Sequence, residues 1–123
     1  MQIITGNAAA DSQSYQSWFL GHFFRPADDP RSTSALELKW TTHAAGETRS
    51  RWAVNRQATT ISILVQGQFR TFFRDRSVLL ATPGDYVLWL PGTAHWWQAE
   101  AESTVLTVRF PSTPGDSVEF DQD

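Results

Sequence analysis

The chain has 123 residues, 41% of them hydrophobic and 13% aromatic, with a net charge of −3 carried by thirteen acidic residues against nine Arg and one Lys. That length supports one domain with a real core. The acidic balance and dispersed Arg exclude a basic field for nucleic acid or an anionic membrane surface. The absence of Cys excludes disulfides and thiolate chemistry.

Residues 5–14 are small and polar and read as an arm with at most a short helical turn. Tyr15 to Phe24 is aromatic, and with period 2 its Trp18, Leu20, His22 and Phe24 share a face. Residues 25–34 form a loop. From Leu36 to His43 the chain alternates, with Leu36, Leu38 and Trp40 on one face and Glu37, Lys39, Thr41 and His43 on the other. This predicts a half-buried strand whose polar face is solvated. An Arg-rich segment from Thr48 ends near Trp52. Strand-like runs follow at 59–65, 68–73, 78–81, 86–90 and 104–110, separated by Gly, Pro or Asp turns. Residues 112–123 read as a polar, acidic tail. About eight short strands at roughly ten-residue spacing predict an all-β sandwich or barrel.

The segment from Gly84 to Gln98 organises the rest. Pro91-Gly92 predicts a tight turn, because proline presets its own φ and glycine accepts a positive one. His95 leaves that turn beside Trp96 and Trp97. A histidine held there suits a ligand or acid/base role, or a structural one satisfied by a backbone carbonyl.

Gly84, Gly92 and His95 stand at the spacing of the second cupin motif, with Pro91 one place after the family proline and Ala99 at the family asparagine. Gly46 and Gly67 match the two ends of the first motif. Between them Trp52 takes the first histidine place, Val54 or Asn55 the second, and Thr60 the glutamate. Over about residues 36–110 the chain therefore resembles the cupin superfamily. The resemblance implies a single-domain cupin-type jelly-roll β-barrel over 35–111, an N-terminal arm and aromatic segment over 1–34 that packs on the barrel or on a partner subunit, and a tail over 112–123. Metal-holding members use three His and one Glu, of which only His95 survives by position.

With side chains alternating in and out of a barrel, the expected pocket is Trp52, Asn55, Thr60, Ser62, His95 and Trp97. His95 is the acid/base candidate, and no cofactor is expected. The leading expectation is a metal-independent protein that binds a small organic molecule and catalyses an isomerisation, cyclisation or elimination. One alternative is a metal-dependent dioxygenase or lyase whose divalent transition metal is held by His95, His43, His22 and Glu47. Another is a non-catalytic ligand sensor or dimeric interaction module. Arg109 is read as external, Arg49 and Arg51 as a solvated loop pair, His43 as an exposed turn histidine and His22 as structural. A homodimer is expected, with no nucleic-acid or membrane partner. The N-terminal residues have neither the basic start nor the apolar core of a signal peptide, so a cytoplasmic location is expected.

Overall fold

The computed structural model describes residues 2–121; Met1, Gln122 and Asp123 lie outside the described residues. A four-residue helix α1 (Ala8–Asp11) starts on the side chain of Asn7, which accepts from the Ala10 N–H at 3.0 Å. A 3₁₀ turn, Ser12–Ser14, follows. The rest is strand: β1 (Trp18–Leu20), β2 (Glu37–His43), β3 (Thr48–Asn55), β4 (Thr59–Gln66), β5 (Phe69–Phe73), β6 (Ser77–Leu80), β7 (Tyr86–Trp89), β8 (His95–Ala99), β9 (Ser103–Phe110) and β10 (Ser117–Phe120). Among the described residues, no helix is long and apolar enough to cross a membrane.

The strands form two antiparallel five-stranded sheets, in the orders β1-β2-β9-β4-β7 and β10-β3-β8-β5-β6. This is an all-β jelly roll. Leu64 and Val105 from the first sheet meet Phe69, Leu80 and Ala99 from the second in one buried cluster, which closes the sheets on each other. Gly67 turns β4 into β5 at φ +101°, where a side chain would strike the Glu102 carbonyl and Ser103.

Two expectations are corrected by these strands. The acidic tail is part of the barrel, since Ser117–Phe120 pairs with β3 from Asn55 to Trp52. Its alternation of Val118 and Phe120 with Ser117 and Glu119 is a strand pattern too short to stand out against the flanking Asp residues. The aromatic segment Tyr15 to Phe24 makes only a three-residue strand, and Gly21 at φ +154° then turns the chain. It packs on its own barrel: Trp18 lies opposite Lys39 on β2, and the Tyr15, Phe23 and Phe24 rings gather behind it.

The alternation of β2 is present with its faces exchanged. Glu37, Thr41 and His43 are buried and Lys39 is half-buried, all toward the barrel interior. Antiparallel sheets usually turn their apolar side inward. Here part of the interior is polar and cationic, and the apolar side of this sheet faces out.

Candidate functional site

The Pro91-Gly92 turn places the central histidine. Gly92 holds φ +82°, and its N–H donates to the Asn55 carbonyl at 2.8 Å, which ties the turn to β3. Two residues on, His95 opens β8 with only 3% of its surface exposed. Its Nδ1 lies 3.1 Å from the Thr93 carbonyl oxygen, an acceptor, so Nδ1 carries the proton and Nε2 is left as an acceptor. Burial pushes the His95 pKa down to about 4, and the positive charges of Arg49, Arg109 and Lys39 push the same way against the Thr93 carbonyl. The ring is therefore neutral near pH 7. The Trp89 ring packs 4.6 Å from it.

His95 opens on a cavity between the sheets. Its walls carry three cations (Lys39, Arg49 and Arg109), the hydroxyls of Thr41, Ser62, Thr71 and Thr107, and the rings of His43, Phe69, Trp89 and Trp97. The register explains the grouping: Lys39 lies opposite Thr107, Thr107 opposite Ser62, and Arg49 opposite Trp97, which in turn faces Thr71. Free volume is about 40 Å³, where one water needs roughly 10–15 Å³.

The cations are poorly compensated. Arg109 reaches Glu37 only at 3.9 Å and Arg49 reaches Glu119 at 3.6 Å, both beyond hydrogen-bond range. Glu119 also serves Arg51. The Nε groups of Arg49 and Arg109, the Trp89 Nε1 and the Thr71 hydroxyl are buried without a protein partner. Leaving a buried donor unpaired costs about 1–3 kcal/mol, and more when it is charged. Lys39 makes no ion pair or side-chain hydrogen bond among the described residues; its nearest polar-aromatic contact is the Trp18 ring, 5.5 Å from Nζ, which also lies 4.8 Å from the Arg109 guanidinium. Desolvation lowers the Lys39 pKa to about 8, with further push from Arg109 and Arg49.

The residues expected from sequence separate into two groups. Ser62, His95 and Trp97 line the cavity, and the Ser62 and Thr107 hydroxyls are 3.2 Å apart. Trp52, Asn55 and Thr60 do not line it. The register between β3 and β8 slips by two residues between Arg49 and Ala53, which keeps the alternation in phase: Arg49, Ala53 and Asn55 share one face and Trp52 lies on the other. Trp52 thus pairs with Phe120, with the Arg74 guanidinium 4.9 Å from its ring. Asn55 donates to Asp116 at 3.3 Å, and Thr60 is wholly buried between Trp89 and Arg109 with its hydroxyl unpartnered.

Four residues set aside as external take different places. Arg109 and Lys39 face inward, as does Arg49; Arg51 stays at the surface, paired with Glu119 and Asp121. His43 is buried, its ring 4.3 Å from Trp97 and 5.4 Å from Phe69, with Nδ1 3.2 Å from the Glu47 carboxylate. Burial lowers its pKa, in part offset by Glu47. The missed cations left one signal: Lys39, the only lysine, and Arg109 both sit within apolar-alternating strands, and a barrel must turn one face of every strand inward.

His22, read as structural, is at a separate cavity of about 260 Å³ under Trp18, which shares Arg109 with the first. His22 Nδ1 is 2.6 Å from the Ser112 hydroxyl, which donates to Glu37 at 2.8 Å. The set His95, His43, His22 and Glu47 is therefore not assembled, and among the described residues no three His, Cys, Asp or Glu side chains are placed to share an ion. The donors around His95 are guanidinium, ammonium and hydroxyl groups and the His43 imidazole. A divalent cation does not fit that set, since three positive charges oppose it and no carboxylate joins the histidine.

No family model matches the chain, and no curated protein sequence matches it. Solved structures do match in shape. KdgF from Halomonas sp. is 23% identical over 66% of this chain and 74% of its own, at a TM-score of 0.57. A double-stranded β-helix protein from Klebsiella pneumoniae is 14% identical over 73% of this chain and 74% of its own, at 0.63. A cupin-2 domain protein from Shewanella frigidimarina is 17% identical over 62% and 71%, at 0.52. The chain has the cupin fold.

Proposed function

We propose that the barrel binds a small organic anion, a carboxylate first of all, without a metal, and that His95 accepts a proton from it. The carrying observation is the convergence of Lys39, Arg49 and Arg109 on one cavity with a neutral imidazole, two of the three having unpartnered guanidinium Nε groups. A carboxylate supplies the missing acceptors, and the planar guanidinium fork suits it. Apolar walls at Trp89, Trp97 and Phe69 hold the carbon skeleton. Bound negative charge also offsets the three cations that depress the His95 pKa, which makes the imidazole a stronger base when the ligand is present. The chemistry within reach is proton transfer, as in an isomerisation, cyclisation or elimination. One positioned base contributes about 10²–10⁴-fold to such steps. Calorimetric titration with glycolate tests the reading: saturable binding that is lost in Arg109→Met supports it, and equal binding of the neutral amide contradicts it.

The same reading gives the protein a second copy of itself as partner. The first sheet carries two apolar rows across its outer face, Leu88–Ile61–Val108–Leu38 and Tyr86–Ile63–Leu106–Trp40, each member directly opposite the next. Tyr86 is 64% exposed and Leu88 48%. Neither row contains a charge, so two acidic chains can meet there without like-charge repulsion. An apolar face of this kind is unusual on a monomer. Sedimentation velocity at micromolar concentration tests it, with a monomer as the contradicting result.

A further inference from the structure

Lys39 is not needed merely to bring positive charge to the cavity, which Arg49 and Arg109 already supply. It is the only lysine of the chain, it lines the cavity, and among the described residues it has neither an ion-pair nor a hydrogen-bond partner. The same cavity is lined by His95, whose Nδ1 is held by the Thr93 carbonyl. A half-buried amine that shares a cavity with two guanidiniums is the arrangement that frees a lysine lone pair for attack on carbon.

We propose that Lys39 captures a carbonyl carbon: the cavity takes a small 2-oxo acid, its carboxylate held by Arg49 and Arg109 and its carbonyl attacked by Lys39 Nζ. The inference rests on the anion reading above and narrows it to one ligand class. The ammonium first gives up a proton to solvent, a step that a pKa of about 8 keeps accessible near neutral pH. The nitrogen lone pair forms the new C–N bond while the carbonyl π pair moves to oxygen. That oxygen takes two protons, one from the new ammonium nitrogen and one returned from solvent, and leaves as water while the nitrogen lone pair closes the C=N bond as a protonated imine. No oxidant or reductant is required, and hydrolysis reverses every step. The free space is about 40 Å³, about three waters' worth, which restricts the acid to the smallest members of its class. Flanking charge supports the step from another side, since Arg109 and Arg49 both favour the neutral amine over the ammonium.

The experiment incubates the full chain with pyruvate and cyanoborohydride near neutral pH, then reads intact mass and maps the modified peptide. A single lysine makes the map unambiguous, because the only other primary amine is the N-terminus. The expected result is one reduced adduct at Lys39, formed at least about ten-fold faster than at the same lysine in the urea-unfolded chain, as a larger free-amine fraction requires. Excess glycolate slows it, and Lys39→Arg, which keeps the charge, abolishes it. Adduct at the N-terminus alone, or equal rates in folded and unfolded chain, overturns the inference. If glycolate shifts the His95 resonances while pyruvate is never trapped, the imine is wrong and the anion site stands. If neither occurs, both fail.

Discussion

The Nδ1 of His95 lies 3.1 Å from the carbonyl oxygen of Thr93, two residues before it in the chain, so the turn that delivers the imidazole also fixes its tautomer. The roles of His95 follow from that contact, from its burial and from the cations around it.

Its protonation makes the first prediction. An unfolded histidine titrates near 6.5 and the folded one at about 4. Between those values the unfolded chain binds more protons, so stability is full above about pH 6.5 and falls as pH drops toward 4. The loss is about 3 kcal/mol for a group this buried. Urea unfolding of wild type and His95→Gln at a series of pH values checks it; the variant should show a shallower decline across that window.

Removing one guanidinium should weaken carboxylate binding without unfolding the barrel. A charge-assisted hydrogen bond contributes about 1.5–3 kcal/mol, so Arg109→Met or Arg49→Met should lower glycolate affinity about ten- to hundred-fold. Arg109→Lys should recover only part of it, because ammonium cannot make the planar double contact. Isothermal calorimetry reads all three.

Trp52 serves as the negative control. It lies outside the cavity, against Arg74 and Phe120. Trp52→Phe should leave glycolate affinity within about two-fold of wild type while weakening a cation–π contact worth about 0.5–1 kcal/mol at an exposed site. Thermal unfolding and calorimetry separate the two effects.

The outer apolar rows predict an assembly defect of their own. Leu88→Arg puts a charge at the middle of the exposed edge strand and should shift the protein to monomer while leaving carboxylate binding intact. Sedimentation velocity and the same titration give the two readouts.

Much of the architecture was legible in the sequence. The turn glycines, the strand spacing and the alternation of β2 each follow from local rules that the tertiary structure leaves in force. The site was harder to read for three physical reasons. Alternation divides a strand into two faces without saying which is inside, and here apolar rows lie outside while Lys39 and Arg109 point in. Trp52 sits an odd number of places from Arg49, Ala53 and Asn55, so it falls on the opposite face of β3 from them, and its aromatic side chain carries no sign of which face that is. The tail strand is four residues long, too short for its period to rise above its acidic neighbours. His95, Ser62 and Trp97 were legible because each keeps the in-and-out alternation of its own strand.

The most direct test of the account is an NMR titration of the His95 ring with glycolate at neutral pH and again at about pH 5, with glycolamide as the uncharged comparison. The free protein should show a neutral Nδ1–H imidazole, glycolate should give saturable shifts at His95 and Trp97, and the His95 pKa should rise from about 4 when the anion binds. No shift with glycolate, equal shifts with glycolamide, or a His95 pKa unmoved by saturating anion would contradict the claim that the barrel is an anion site.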